Sequence, residues 1–350
     1  MTISASRLGA ERAAALVLAL MAGSGAQAGE TSIDVGYGIR VPVDPAVKLS
    51  IAYFSIGTGN SYLTANIRAA KETAAKGGAD IQIFDAKFDP TTQYNQVQNA
   101  LQSKRYNAFI LAAADGSVLC KIATEDAPRA GILVSAIGIQ LCGRATKQGE
   151  AQWAPGTLNF VGGALSYDTY SAWYDHVVTL NPGPQKVGFL TGPDLVSYTI
   201  IMHKILDEMK AKHPEFQVVE RLQTDYSVPD SLKKAQNLIQ AHPDLTIIMT
   251  VYSNLTRGVV GALEQAGKTG TIKVYDAGGT AWAKKAVLSG QIELTIPQYA
   301  YTLLQASVQS LIDAHAGKVG PRFVANDGAP ASSTFIIDKS NAASFVPESE

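Results

Sequence analysis

From Lys48 onward, short apolar runs alternate with stretches in which apolar residues recur every three or four positions. The first run is LSIAYFS (49–55). The stretch after it carries Leu63, Ile67, Ala70 and Ala74 on one face, the period of an amphipathic helix, and Gly77-Gly78 end it. IQIFDA (81–86) is the next strand, and Asp89-Pro90 after it supplies a cap and a first helical residue for a helix with Tyr94, Val97 and Leu101 inward. Strand NAFILAA (107–113), a helix near 118–127 and strand ILVSAI (132–137) follow.

The same rhythm restarts in a second half. KVGFL (186–190) is a strand, followed by a helix with Ile201, Ile205 and Met209 on one face. FQVVERL (216–222), a helix bearing Leu232, Ala235, Leu238 and Ile239, LTIIMTV (245–251), a helix through Val259, Val260 and Leu263, and IKVYDA (272–277) complete the set. Strands separated by helical stretches of about 10–15 residues mean βαβ units and parallel sheets. Two consecutive sets predict an α/β fold of two doubly wound parallel-sheet lobes joined by a hinge. Residues 29–47 show little apolar content and are expected to form a strap or tail.

The N-terminus changes the picture. Arg7 and Arg12 flank a basic start, AAALVLALM (13–21) is uncharged and apolar, and Ala26-Gln27-Ala28 ends a run of small residues. That order describes a secretory signal peptide over 1–28, cleaved before Gly29. The apolar run is far short of the roughly 20 residues that cross a bilayer, and no Cys follows the cleavage point to carry a lipid. An exported, periplasmic protein is expected. With charged residues at 17% and a formal net charge of −1, nucleic acid is a poor partner.

Export places the two cysteines, Cys120 and Cys142, in an oxidising compartment. Both fall just past strands of the first set, at the carboxyl edge of one sheet, so they are expected to be bridged. The bridge would close a loop of about 20 residues and contribute on the order of 3 kcal/mol. The alternative is two buried free thiols. The pair alone is too few ligands for a metal site.

In open parallel sheets ligands bind beyond the carboxyl ends of the strands. Here those ends carry Ser55–Tyr62, Asp115-Gly116, Ile137-Gly138, Thr191–Asp194 with Ser197-Tyr198 beyond, Asp225-Tyr226, Tyr252–Asn254 and Asp276–Gly279. Aromatic rings with a few hydrogen-bonding groups suit a small-molecule cleft, although turn polarity explains any single one equally well. Catalytic signatures are missing. Gly57-Thr58-Gly59 has Tyr62 where a dinucleotide fingerprint needs glycine, and no G-x-x-x-x-G-K-[ST], H-E-x-x-H or G-x-S-x-G occurs. No enzyme activity and no cofactor are expected.

The order of segments resembles the type I periplasmic solute-binding proteins of ABC importers, in the sugar-binding branch related to ribose-binding protein. The segments that carry the resemblance are SIGTGNSYLTANIRAAKETAAKGGADI (55–81), AHPDLTIIMTVYSNLTRGVVGALEQAG (241–267) and IKVYDAGGTAWAKKAVLSGQIELTIPQYAY (272–301), within a match over about 48–318. It implies lobe I over 48–164 plus 299–320 and lobe II over 165–298 plus 321–350. It also implies a monomer that hands its small-molecule ligand to ABC permease subunits in the inner membrane. Docking on a membrane sensor or chemoreceptor is the alternative; a secreted enzyme ranks below both.

By resemblance, Asn60 and Tyr62 supply an amide and an aromatic wall from the first loop, Asp276 binds ligand hydroxyls, and Gln298 makes a polar contact where the chain returns to lobe I. Three positions depart from the sugar-binding pattern. Ile137 stands where Asp is usual, Tyr198 or Ile201 where Arg is usual, and Tyr252 with Ser253 where Asn or Asp is usual. Each sugar hydroxyl left unpaired in a closed cleft costs roughly 1–3 kcal/mol, so these departures favour a less polar cyclic compound with fewer hydroxyls than a pentose or hexose, beside the sugar or polyol that the resemblance implies. The expected ligand-binding set is Asn60, Tyr62, Asp115, Ile137, Tyr198, Tyr252, Asp276 and Gln298.

Overall fold

The structure is a computed structural model that describes residues 31–193, 197–326 and 335–350, with all their side chains except those of Ser197 and Tyr198. The expected signal peptide, residues 1–28, lies outside the described residues.

The first described segment is a β-hairpin of β1 (Thr31–Gly36) and β2 (Ile39–Val43). The expected strap or tail is therefore corrected. Ile33, Val35, Ile39, Val41 and Val43 are all buried in one face of the first lobe, and each such side chain stabilises by about 1.5–3 kcal/mol. Their period of two was readable. Tyr37 and Gly38 take left-handed φ values of 52° and 68°, which a tight hairpin turn requires. Arg322 Nη2 donates to Asp34 O at 2.5 Å, and Gly156 N donates to Val35 O at 2.6 Å.

The first lobe continues through β3 (Ser50–Ser55), α1 (Ser61–Lys76), β4 (Asp80–Asp85), α2 (Pro90–Ser103) and β5 (Ala108–Leu111). The helix expected near 118–127 is present over 120–129, with a π-helical turn (Ile122–Asp126) at its middle and the three-residue α3 (Ala127–Arg129) at its end. β6 (Leu133–Ile137) and β7 (Asn159–Gly162) follow. The second lobe holds α4 (Tyr167–Leu180), β8 (Gln185–Thr191), α5 (Ser197–Lys212), β9 (Phe216–Gln223), α6 (Val228–Ala241) and β10 (Ile247–Thr250). It continues with α7 (Ser253–Gln265), β11 (Lys273–Gly278), α8 (Ala281–Ser289) and β12 (Leu294–Pro297). The chain then returns to the first lobe with α9 (Ala300–His315), which packs on α1, and β13 (Phe323–Ala325), before β14 (Ile337–Asp338) joins the second sheet.

The first sheet runs β13-β7-β6-β5-β3-β4 and is parallel throughout. The second runs β14-β12-β11-β10-β8-β9, parallel except for β14. Helices cover both faces of each sheet, so the central strands are continuously apolar: Ile51–Phe54 and Ile247–Met249 are fully buried. β13 sits in the first sheet, so residues 321–350, expected wholly in the second lobe, divide between the two.

The helix caps follow the sequence. Asn60 Oδ1 accepts from Leu63 N at 2.9 Å, Asp89 Oδ1 accepts from Thr92 N at 2.5 Å, and Gly77 closes α1. Cys120 and Cys142 are joined by a disulfide with Cα atoms 4.9 Å apart, because β5 and β6 are neighbours. Among the described residues no helix is long and apolar enough to cross a membrane.

Candidate functional site

The carboxyl ends of both sheets face one cleft. From the first lobe come Tyr53 and Ile56 at the exit of β3, Asn60, Tyr62, Leu63 and Asn66 at the start of α1, Phe88 after β4, and Ile137–Ile139 after β6. From the second come Tyr226 after β9, Val251 and Tyr252 after β10, and Gln298 after β12. The unfilled space, counting that open at the mouth, is about 660 Å³.

Two aromatic residues in unusual backbone conformations meet across the mouth. Phe88 and Tyr226 have φ values of 60° and 66°, which cost non-glycine residues on the order of 1–2 kcal/mol. Each is held by its loop. Asp85 Oδ1 accepts from Lys87 N at 2.8 Å and Phe88 N donates to Ile56 O at 2.6 Å. On the other side Asp225 Oδ1 accepts from Ser227 N at 2.8 Å, and Tyr226 N donates to Thr224 Oγ1 at 3.2 Å. The Phe88 and Tyr226 rings lie 6.3 Å apart, and Tyr252 meets Tyr226 edge-on at 6.2 Å. Gly57 makes room for Phe88, whose ring lies 2.6 Å from where a Cβ would stand. Ser61 Oγ and Tyr252 Oη, 3.5 Å apart, add a polar contact between the lobes.

The polar groups of the cleft are amides and phenols. Gln298 Nε2 donates to Ala277 O at 2.9 Å and Val251 O at 3.2 Å, with Tyr170 Oη at 3.4 Å. Asn66 Nδ2 donates to Tyr62 O at 2.9 Å. Burial pushes the Tyr53 phenol up to about 12 and raises those of Tyr62, Tyr252 and Tyr226 as well. All four therefore remain neutral hydroxyls at physiological pH. No Asp, Glu, Lys, Arg or His is among the described residues that line the cleft.

Of the expected residues, the structure brings Asn60, Tyr62, Ile137, Tyr252 and Gln298 together on the cleft wall. Asp276 lies elsewhere. It is fully buried behind the wall, accepting from Ser253 Oγ at 2.9 Å, from Thr295 Oγ1 at 2.5 Å and from Thr256 Oγ1. Burial raises its carboxyl above the usual range against the lowering effect of these hydroxyls. Asp115 is also off the wall. Its Oδ1 accepts from Ser117 N at 2.7 Å and Val118 N at 3.2 Å, shaping the turn that leads to the disulfide. The Tyr198 side chain lies outside the described residues, and Ile201 is buried in the second-lobe core.

Tyr53, Asn66, Phe88 and Tyr226 also line the cleft, outside the expected set. Tyr226 was at a strand end already named; Asn66 follows one helical turn after Tyr62 and faces the same way. Phe88 carries no sequence signal beyond its place after a strand.

A family model for a periplasmic binding protein domain matches residues 51–319. The chain is 23% identical over 263 residues to the ribose import binding protein of Bacillus subtilis, across 74% of this chain and 79% of that protein. It is 29% identical over 111 residues to the D-allose-binding periplasmic protein of Escherichia coli, across 31% of this chain and 36% of that protein. A periplasmic solute binding protein of an ABC transporter from Actinobacillus succinogenes, solved with bound D-allose, superposes with a TM-score of 0.72 at 20% identity. That match covers 85% of this chain and all of the other. The Caulobacter myo-inositol binding protein superposes with a TM-score of 0.71 at 19% identity, over 85% of this chain and 95% of that one. Together with two parallel-sheet lobes, these matches show that the chain belongs to the periplasmic binding protein family, with the type I fold and a solute-binding rather than enzymatic role.

Proposed function

We propose that this protein captures one uncharged small molecule between its lobes in the periplasm and delivers it to the permease of an ABC importer. Residues 1–28 act as the export signal, and the mature chain works as a monomer. The observation that carries the reading is the cleft itself: residues from both lobes line it, and no charged side chain is among the described ones. Only contacts made by both lobes favour the closed arrangement over an open one, and such closure by hinge is a known repertoire for periplasmic binding proteins. Asn60, Tyr62 and Ile137 act from the first lobe, Tyr252 and Gln298 from the second. The ligand is a sugar, a polyol or a less polar cyclic compound.

Mass spectrometry of protein exported from its host is the test. The expected result is a chain that begins at Gly29 and releases a single uncharged small molecule on denaturation. A chain that retains Met1, or that releases nothing and is stabilised by no uncharged solute, contradicts the proposal.

A further inference from the structure

We infer, resting on the proposed role of the cleft, that its ligand is an uncharged ring compound with an apolar face and hydrogen-bond donors on one edge, and that Asn66 selects it. The orientation of three amides sets what the cleft presents to a ligand. A backbone carbonyl can only accept, so the Gln298 NH2 group must face Ala277 O and Val251 O, at 2.9 and 3.2 Å. That turns Gln298 Oε1 the other way, and it accepts nothing among the described residues. Asn66 is fixed in the same manner by Tyr62 O at 2.9 Å, leaving Oδ1 without a donor although the residue is only 1% exposed. Asn60 is the reverse: Oδ1 caps α1 by accepting from Leu63 N at 2.9 Å, so Nδ2 is the group left over.

The cleft thus offers two amide acceptors, one amide donor and neutral phenols, set among aromatic rings and aliphatic side chains such as Ile56, Ile137, Ile139 and Leu303. An amide as enclosed as Asn66, 1% exposed, or Gln298, 8% exposed, rarely keeps an acceptor without a donor. A ligand with hydroxyl or N–H donors on one edge answers them, while its apolar face packs on Tyr62, Tyr252 and the aliphatic wall. A sugar carrying hydroxyls on every side would meet these three amides and then strand the rest against Ile137 and its neighbours. Each stranded hydroxyl lowers affinity by about 5- to 150-fold. Asn66 contributes the most enclosed acceptor and is a specificity-determining residue.

Isothermal titration of the mature protein, freed of bound ligand by denaturation and refolding, tests this with five probes. Catechol and trans-1,2-cyclohexanediol are ring diols; D-ribose, D-allose and myo-inositol are hydroxylated all round. The ring diols are expected to bind at least tenfold more tightly than any of the other three. Asn66→Leu keeps the volume and deletes the acceptor, and is expected to weaken diol binding tenfold or more. Asn60→Ser keeps the helix cap, deletes the donor and is expected to weaken binding less. Urea midpoints near that of the parent establish that both variants fold. A pentose, hexose or inositol bound more tightly than either diol overturns the inference, as does diol affinity unchanged by Asn66→Leu; both leave the solute-binding role standing. If none of the five binds, the inference falls, while release of another small molecule from the exported protein would still uphold that role.

Discussion

Removing the acceptor at Asp276 should destabilise the second lobe. Its carboxylate gathers the hydroxyls of Ser253, Thr256 and Thr295, which link α7, β11 and β12 behind the cleft. Asp276→Ala strands three donors, at about 1 kcal/mol each once hydroxyls rotate to second partners. Such partners exist: Thr256 lies 3.3 Å from Tyr252 O, and Thr295 3.5 Å from Ile296 O. The expected loss is about 3 kcal/mol. Asp276→Asn behaves differently, because it keeps an acceptor and removes a charge whose burial is itself unfavourable. The pH dependence separates the two effects. The folded carboxyl titrates above its unfolded value, so the folded state holds the extra proton between those two values. The contribution of Asp276 is then fully present below the unfolded value and lost as pH rises through the folded one. Urea unfolding, followed by the fluorescence of the buried Trp173, reads both. Asp276→Ala should lower the midpoint strongly at neutral pH, and the parent should gain stability over Asp276→Asn on acidification. An unchanged midpoint for Asp276→Ala, or a parent that loses ground to Asp276→Asn on acidification through that window, would refute the reasoning.

Tyr252→Ala should weaken binding of the co-purifying ligand by more than about 1 kcal/mol, measured by calorimetry, since the ring is both a wall and a partner of Tyr226. Gly192→Ala should weaken it as well: an added Cβ would stand 1.7 Å from Tyr226 Oη, and the ring has to leave the cleft wall. Affinity should stay flat between about pH 5.5 and 8.5, because burial holds the cleft phenols protonated and no charged group is among the described residues of the wall. Titration at the two ends of that range checks it. Replacing both cysteines with alanine should lower stability by on the order of 3 kcal/mol in urea and leave affinity unchanged, since neither Cys120 nor Cys142 lines the cleft.

The repeating strand–helix pattern made both sheets legible, because buried parallel strands such as Ile51–Phe54 are written as unbroken apolar runs. The cap at Asp89 was equally plain, whereas the capping role of Asn60 is seen only in the structure. The pattern does not single out β7 and β12: each has only four residues, and each ends where the chain crosses to the other lobe. The hairpin of β1 and β2 was passed over because its apolar residues alternate with charged ones, although that alternation is itself a strand signal. In the cleft, strand-end logic found Tyr252 and the family resemblance supplied Gln298, but neither could measure depth. Asp276 lies near the carboxyl end of β11 and Tyr252 just past that of β10, yet the carboxylate turns back among three hydroxyls while the ring reaches the wall. Which hydroxyls surround a carboxylate depends on contacts between β11, α7 and β12, and no local pattern encodes that.

A crystal structure of the mature protein carrying the small molecule with which it is exported tests the central claim most directly. The account predicts ligand density enclosed by both lobes, against Tyr62 on one side and Tyr252 and Gln298 on the other, with Phe88 and Tyr226 closed over it. Ligand on an outer face, or held by one lobe alone with the cleft empty, would contradict it.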